Sequence, residues 1–312
     1  MMKINATSGI ENIATVYIAE FSSGKLVEFV ESTQPPTPIH EKWVLMVSSL
    51  FGCPVQCRFC DAGGYYQGKL SADEIHAQIA YLITKRFPDK RIPVQKFKIQ
   101  FARMGEPAFN SEVLTVIEQI TERYDAPGFL PSISTIAPQS CDSFFQRLLQ
   151  IKKSKFPDRF QLQFSIHSTN RKQRDWLIPV KKWDFNQIAK YGSLFFDEGG
   201  RKITLNFALV QDAKIDPEVL QDFFSPDVFL LKITPVNPTL MAHKHQLTST
   251  IQSDSLEYSF IDELQDIGYE VILSIGELKE NKIGSNCGQY ITNYLKSNKQ
   301  LHDGYTTPII KK

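Results

Sequence analysis

The sequence predicts an α/β fold: a partial or small (βα) barrel of about six parallel strands, preceded by a short β-hairpin. Apolar, β-rich runs alternate with helical patterns along most of the 312 residues, as in repeated βα units. A hairpin pattern precedes the first of these runs. Polar motifs follow the ends of several runs, which is where a barrel of this kind places its chemistry.

The N-terminal segment predicts the hairpin. Runs 15–20 and 25–30 are separated by a short turn of two serines and a glycine, and a proline-rich connector covers 34–38. We therefore divide the chain into three parts. These are an N-terminal hairpin extension at 1–40, a barrel domain at 41–296 and a polar C-terminal tail at 297–312.

The barrel elements follow in order. The predicted strands cover 43–49, 96–102, 132–137, 160–167, 202–209 and 228–234, with a seventh candidate at 270–275. The clearest helix begins after Ser71, which can form a capping box with Glu74. Further helices are predicted at 112–124, 142–152, 186–195, 217–224 and 255–266.

Charge and hydropathy limit the partners. Lysine and arginine number 35 against 34 acidic residues, so there is no global positive field for nucleic acid and a local patch would have to hold it. No apolar run approaches the roughly 20 residues of a membrane span, and no membrane partner is expected. Short basic runs are the candidates for such a patch, although charge runs are more often only solvated: Lys152, Lys153, Lys155, Arg171, Lys172, Arg174, Lys181 and Lys182.

Three of the 5 cysteines lie close together in the segment FGCPVQCRFCDAG. Cys53, Cys57 and Cys60 are too closely spaced for a disulfide framework, which indicates a reducing, cytoplasmic location and a metal or cluster site. Three thiolates on one loop can bind three irons of a cubane and leave the fourth iron open. The alternative is a zinc site that takes its fourth ligand from elsewhere in the chain.

The CxxxCxxC spacing, with Phe59 before the third cysteine, resembles the motif of radical S-adenosylmethionine enzymes. More narrowly, the sequence is similar to the RlmN and Cfr type of RNA adenine methyltransferase. MGEPAFN, SIST, FSIHST, TPVNP and IGSNCGQY follow in that family's order, and the resemblance runs from about residue 15 to residue 289. It implies a 4Fe-4S cluster bound by the three cysteines, with S-adenosyl-L-methionine as the second cofactor.

The resemblance also implies cofactor-binding residues beyond the cluster loop. Besides Phe59 they are Gly105 and Glu106 for the methionine part, and Ser134, Ser165, Ile166, His167 and Asn237 for the remainder. Three of these elements have an ordinary structural alternative. A Gly-Glu-Pro segment can simply close a strand, a single histidine at a strand end is more often structural, and asparagine before proline is a common turn former.

The implied reaction is methylation of C2 or C8 of an adenine, ring carbons that polar methyl transfer serves poorly. In the family pattern one cofactor molecule methylates Cys287, and a 5′-deoxyadenosyl radical then removes hydrogen from that methyl group. The carbon radical adds to the base, Glu28 takes the ring proton, and a second cysteine releases the product by forming a disulfide. The alternatives are that Cys287 is a small buried apolar residue and that Glu28 is an exposed carboxylate.

Two features depart from the family pattern. The resolving cysteine is replaced by Met46, which has no ionisable thiol, so Cys141 or an external thiol substitutes or the reaction differs. Only about forty residues precede the first barrel strand, where the family carries an accessory domain that helps to hold RNA. The substrate could then be tRNA, rRNA, a smaller RNA, or a peptide or small molecule.

Other partners follow from the same resemblance. An electron donor such as flavodoxin or ferredoxin is implied, and no DNA partner is expected. A third hypothesis, from another class, is a zinc or cluster protein with a binding or scaffolding role.

Overall fold

A computed structural model describes residues 1–33, 35–251, 258–275, 283, 290–296 and 310–311. Its strands are β1 (Met2–Ile10), β2 (Ala14–Phe21), β3 (Leu26–Ser32), β4 (Lys42–Val47), β5 (Leu50–Phe51), β6 (Gly68–Lys69), β7 (Lys96–Phe101), β8 (Phe129–Thr135), β9 (Gln161–Ser165), β10 (Ile203–Leu209), β11 (Phe229–Pro235), β12 (Val271–Leu273) and β13 (Ile310–Lys311). Its helices are α1 (Ala72–Arg86), α2 (Glu112–Arg123), α3 (Asp142–Lys155), α4 (Arg171–Leu177), α5 (Phe185–Phe195), α6 (Pro217–Phe223), α7 (Leu240–Lys244), α8 (Ser259–Asp266) and α9 (Tyr290–Lys296).

The main sheet joins a parallel part to an antiparallel part. Its order is β12-β11-β10-β9-β8-β7-β4-β3-β2-β1-β13. From β4 through β7 to β12 the strands are parallel and follow the chain order, with helices connecting them, which confirms the predicted partial (βα) barrel. Strands β1 to β3 continue the same sheet beyond β4 in antiparallel fashion.

The strand β7 shows why the sheet separates a helix layer from an interior. Its sequence KFKIQF alternates, so that Phe97, Ile99 and Phe101 are fully buried in the core beneath the helices. Lys98 and Gln100 point the opposite way, into a cavity that the parallel strands surround. Because all parallel strands end at one edge, the loops after them meet around the rim of this cavity.

Most of the predicted elements are confirmed. All seven parallel strands are present, the hairpin is β2–β3, and Ser71 and Glu74 form the predicted capping box. The strand β1 and the short helices α4 and α7 were not predicted. The segment of α4, RKQRDWL, looked like a charge run, but Asn170 caps it and two of its residues are buried.

The domain boundaries remain predictions. The hairpin and the barrel share one sheet, since β3 pairs with β4. Of the predicted tail, only β13 lies among the described residues, where it pairs with β1. Within the described part of the chain, no helix is both long enough and apolar enough to cross a membrane.

Candidate functional site

The loop that carries the three cysteines follows β5 and leads into a short 3-10 helix at Asp61–Gly64. Gly52 starts it with a φ of +81°, and a side-chain carbon there would lie 1.0 Å from the carbonyl oxygen of Tyr65, so only glycine fits. The Cys53 amide donates to the Ala62 carbonyl at 2.8 Å. All three cysteine side chains are partly exposed, and all three pack against one apolar cluster that includes Phe59.

The loop is fixed to the helix that follows β11. The Thr239 hydroxyl donates to the carbonyl of Phe59 at 2.9 Å. The buried carboxylate of Asp61 accepts the amides of Leu240 at 3.1 Å and Met241 at 2.9 Å. Sequence reasoning missed Asp61, and its position directly after the third cysteine was the available signal.

The three cysteines of this loop are the candidate ligands of a metal centre. Among the described residues, no group of three or more His, Cys, Asp or Glu side chains is arranged to hold a single metal ion. Zinc takes all its sulfur ligands about 2.3 Å from one centre, whereas a cubane takes each thiolate on a different iron. Burial raises the pKa of the Cys53 thiol to about 11. The backbone amides of Val55, Glu106 and Gln56 donate to its sulfur, and these hydrogen bonds lower the pKa.

A cavity of about 300 Å³ lies inside the barrel beside this loop. Five of the predicted cofactor-binding residues line it together: Phe59, Ser134, Ser165, His167 and Asn237. They come from the cluster loop and from the ends of three different strands, or from just beyond them. The fold therefore assembles residues that are far apart in the sequence into one polar and aromatic lining.

His167 is held in one orientation and one protonation state. Its Nδ1 accepts the Ala208 amide at 2.9 Å, so a neutral ring carries its proton on Nε2. The ring meets Phe59 edge-on, with centroids 4.8 Å apart. Burial, and then the charge of Arg174, lowers the pKa of His167 to about 3. The imidazole is thus neutral near neutral pH and can serve as a fixed donor in the cavity.

Replacing His167 with asparagine is expected to reduce the loss of unfolding free energy that occurs as the pH falls below 6.5. Because the folded-state pKa of about 3 lies below the unfolded value of 6.5, stability from the neutral ring is complete above pH 6.5 and is lost as pH falls toward 3. At pH 5 the loss is about 2 kcal/mol. Asparagine tolerates the φ of +64° and keeps an acceptor for Ala208. Urea unfolding of both proteins at pH 7 and pH 5 measures this loss. An equal loss of unfolding free energy in the wild type and the variant would contradict the prediction.

Gly105 and Glu106 lie beside the cysteine loop and do not line the cavity. Gly105 has a φ of +100°, and a side-chain carbon there would lie 2.5 Å from Leu50. The Glu106 carboxylate is buried and accepts the amides of Ile136 at 2.9 Å and Ala108 at 3.0 Å, as well as the Thr135 hydroxyl. Burial raises the pKa of Glu106 to about 7, and these three hydrogen bonds act in the opposite direction.

Ile166 packs in the apolar core outside the cavity, so only its main chain faces the neighbouring strand, where its amide donates to Asn206. Contacts of Gly105, Glu106 and Ile166 with a cofactor stay predictions.

Glu28 is fully buried, so the alternative of an exposed carboxylate is wrong. Arg103 donates to its Oε1 through Nε at 3.0 Å and Nη2 at 2.7 Å. The Ile291 amide, at the start of α9, donates to Oε2 at 2.7 Å. Burial raises the pKa of Glu28, while Arg103 and the Ile291 amide lower it. Glu28 does not line the cavity, and its role as a proton acceptor stays a prediction.

The positions tied to product release lie in different places. Met46 lines the barrel cavity. Cys141 lines a separate pocket with Lys69 and Phe109, and burial raises the pKa of its thiol. Cys287 lies outside the described residues, three positions before Tyr290. The structure therefore offers no support for Cys141 as a substitute at the position of Met46.

Several of the candidate basic residues form ion pairs or hydrogen bonds within the fold. Lys152 pairs with Asp197, Lys182 pairs with Asp175 at 2.6 Å, and buried Arg174 donates to a main-chain carbonyl. These three are therefore not part of an exposed patch. An unpredicted feature lies on the rim, where Arg58 of the cysteine loop stacks over Trp176 at 4.8 Å and the indole remains 43% exposed.

The cavity also contains polar residues that sequence reasoning missed. Lys98, Gln100, Gln163, Asn206 and Lys232 all line it. Their signal was the alternation of polar and apolar residues within the strands, which places every second side chain on the inner face.

Comparison with known proteins gives relatives along most of the chain. A probable dual-specificity RNA methyltransferase RlmN of Chlorobium phaeobacteroides is 27% identical over 262 residues, covering 81% of this chain and 68% of its own. A ribosomal RNA large subunit methyltransferase N of Nitrosopumilus maritimus is 25% identical over 288 residues, covering 89% and 77%. No family model matches the chain.

A solved structure shares the fold. The crystal structure of a radical SAM methyltransferase from Sphaerobacter thermophilus superposes with a TM-score of 0.67 at 20% identity, over 92% of this chain and 81% of that one. At this identity the likeness concerns the fold.

Proposed function

We propose that this chain, which is similar to the RlmN/Cfr-like radical S-adenosylmethionine enzymes, methylates an adenine base of RNA, at C2 or C8. The observation that carries the proposal is the shared cavity of Phe59, Ser134, Ser165, His167 and Asn237 beside the cysteine loop. Cys53, Cys57 and Cys60 would hold a 4Fe-4S cluster, which supplies reductive cleavage of S-adenosyl-L-methionine when it is bound.

The chain's own residues would orient the cofactor and exclude water. The Nε2 proton of His167 and the hydroxyls of Ser134 and Ser165 offer hydrogen bonds within the cavity. Phe59 supplies an apolar wall against which an adenine ring can pack. The cavity lies between the parallel strands, and a site that excludes water would keep reactive species from side reactions with solvent.

Cys287 is proposed as the methyl carrier and Glu28 as the proton acceptor. A hydrogen bond supports the assignment of these two roles: Glu28 accepts the amide of Ile291, which lies four residues after Cys287 in the sequence. The Glu28 carboxylate thus fixes α9, the helix that follows Cys287 in the sequence, to strand β3. Proton transfer at Glu28 would require its bond to Arg103 to adjust when the substrate is bound.

RNA would approach the cavity across the rim. Bases of single-stranded RNA stack on aromatic side chains, and the exposed Trp176 with Arg58 offers such a surface next to the cysteine loop. A flavodoxin or ferredoxin would supply the electron in a reducing cytoplasm. No DNA partner is proposed.

The test compares Cys287→Ala with Cys141→Ala in reconstituted enzyme. We expect the first to abolish RNA methylation and the second to leave at least about half of it, since a transferring residue has no substitute. Mass spectrometry should find one methyl group on the Cys287 peptide of wild-type protein made in cells. An unmodified peptide from active enzyme would refute the carrier role, and RNA with unchanged bases in cells lacking the gene would refute the substrate.

A second candidate is a radical enzyme on the same scaffold that acts on a peptide or small anionic molecule. Lys98 and Lys232 inside the cavity favour it, because an internal RNA base brings no negative charge to that depth. It gains if the enzyme forms 5′-deoxyadenosine but leaves RNA unmodified.

A further inference from the structure

A second, smaller pocket of about 130 Å³ lies between helix α4 and the start of α5. It shares no lining residue with the barrel cavity, so it is a separate site. The charged residues of its lining are three cations and two carboxylates: Arg171, Arg174, Lys182, Asp175 and Asp184. The lining therefore carries one positive charge more than it carries negative charges.

Arg174 is buried in this pocket, and two of its three side-chain nitrogens are unused. The residue is only 4% exposed. Its Nη1 donates to the carbonyl of Trp183 at 2.8 Å. Its Nε and Nη2 are buried, and neither has a hydrogen-bond partner among the described residues. Buried donors without an acceptor are costly and uncommon, and an unfilled binding site is one cause of them.

The two unpaired nitrogens form one edge of the planar guanidinium group. Nε–H and Nη2–H point the same way, so together they can donate to two oxygens of one carboxylate or phosphate. Arg103 binds Glu28 through the same two atoms. Burial lowers the pKa of Arg174 to about 10, so the group stays charged at neutral pH. Arg174 is thus a charged two-donor fork, and the described residues supply no acceptor for it.

The two carboxylates of the pocket are hydrogen-bonded to other groups. Asp175 accepts from Nζ of Lys182 at 2.6 Å. Asp184 caps α5 and accepts the amide of Gln187 at 2.9 Å. Neither carboxylate accepts from the two unpaired nitrogens of Arg174. The acceptor that the fork needs therefore comes from outside the described part of the chain.

A second arginine stands beside the fork. Arg171 lies three residues before Arg174 on α4, and the two guanidinium groups pack on the ring of Phe185, at 5.8 and 5.4 Å from its centroid. Because Nε and Nη2 of Arg174 are shielded from solvent, a ligand reaches them only when the pocket opens, and the exposed Arg171 side chain can move to allow this. A phosphate has oxygens for both arginines, whereas the fork alone takes both oxygens of a carboxylate.

We propose that Arg174 and Arg171 form a binding site for a phosphate group. The group has two possible sources, free phosphate and a phosphodiester of an RNA strand. In either case the phosphate accepts Nε–H and Nη2–H of Arg174 through two of its oxygens, and Arg171 donates to a third. The inference goes beyond the proposed function, since phosphate binding at α4 requires neither the cluster nor methyl transfer.

The test is calorimetric titration of the reconstituted, unreduced enzyme with saturating S-adenosyl-L-methionine, at constant ionic strength in chloride. Inorganic phosphate, acetate and the dinucleotide ApA, which has one phosphodiester and no terminal phosphate, are titrated separately. We expect saturable one-site binding of inorganic phosphate or ApA, and weaker binding of acetate. Tighter binding of ApA identifies the RNA strand as the source, and tighter binding of inorganic phosphate identifies the free ion.

Substitutions of the two arginines connect the binding to this pocket. Arg174→Lys keeps the charge but removes the planar fork, so it should weaken binding of the preferred phosphate ligand at least about tenfold. Arg171→Met should weaken it at least about threefold. The matched control is Arg123→Lys, which changes an exposed arginine of α2 in the same way and should leave the binding unchanged.

A gain of binding distinguishes the site from a general effect on the fold. Asp175→Asn removes one negative charge from the pocket, so it should tighten phosphate binding at least about threefold. Lys182 keeps two main-chain carbonyls as acceptors, at 3.0 and 3.3 Å. If Arg174→Lys does not fold, Arg171→Met and Asp175→Asn decide the question.

Three results would overturn the proposal. They are an absence of saturable phosphate or ApA binding, acetate binding as tight as either, and binding that neither Arg174→Lys nor Arg171→Met weakens and that Asp175→Asn does not tighten. Failure to methylate RNA would affect only the proposed function, because these titrations involve no turnover.

Discussion

Replacing Cys57 with serine is expected to remove the cluster and to reduce 5′-deoxyadenosine formation at least about a hundredfold. Serine keeps the size of the side chain, but its hydroxyl does not ionise at neutral pH and is a poor ligand for iron. The loop itself should persist, because the Thr239 and Asp61 hydrogen bonds that fix it to the following helix do not involve the Cys57 side chain. Iron and sulfide content, together with chromatography of the nucleoside product, measure the effect.

Cys141→Ser is the matched control for this prediction. Cys141 lies in a separate pocket, so its replacement should leave iron, sulfide and 5′-deoxyadenosine at wild-type levels. Stoichiometric zinc without sulfide in the wild-type protein would instead support the zinc hypothesis and end the radical interpretation. Retention of the cluster in Cys57→Ser would also contradict the assignment.

The fold could largely be predicted because its signals are local. In β7 the apolar residues recur at every second position, and the Ser71–Glu74 capping box marks the start of α1 within four residues. The first strand was missed because its sequence, MKINATSGI, is mostly polar and its burial depends on pairing with β2. Helix α4 was missed because a seven-residue charged segment carries too little periodicity to distinguish a helix from a solvated turn.

The site was predictable where residues follow strands and unpredictable where partners are distant. His167 and Asn237 stand at strand ends, so the barrel topology alone brings them to one rim. Lys98 was missed because polar and apolar residues alternate along a strand in the same way whether the polar side chains face a cavity or the solvent. The burial of Glu28 could not be predicted because Arg103, whose side chain binds it, is 75 residues away in the sequence.

Met46 stands where the family pattern has its resolving cysteine, and this replacement has a physical consequence. It occupies a buried position on the cavity wall, so the place of the resolving thiol is filled by a side chain that cannot exchange disulfides. Cys141, in its own pocket and with a raised pKa, is a weak nucleophile there. If the proposed methyl-transfer cycle operates in this chain, we expect an external thiol to release the product, whereas a cycle without a covalent protein–substrate bond requires none.

Replacing Glu28 with glutamine is expected to lower the free energy of unfolding by about 3 to 5 kcal/mol, because it removes the buried carboxylate charge that Arg103 binds through two hydrogen bonds. The side chains of this pair are only 0% and 2% exposed, so water cannot compensate for the loss. The amide hydrogen of Ile291 should also exchange faster, since its acceptor is weakened. Urea unfolding and hydrogen exchange measure the two effects.

The matched contrast is Glu118→Gln, which breaks the half-exposed pair with Arg147 and should cost no more than about 1 kcal/mol. Combining Glu28→Gln with Arg103→Met should cost less than the sum of the two single changes, because the double variant leaves no buried charge unpaired. Additive costs would show that the two residues act separately. Since Glu28→Gln alters both the fold and any proton transfer, loss of activity supports the proton-acceptor role only if Arg103→Met, matched in stability, keeps more activity.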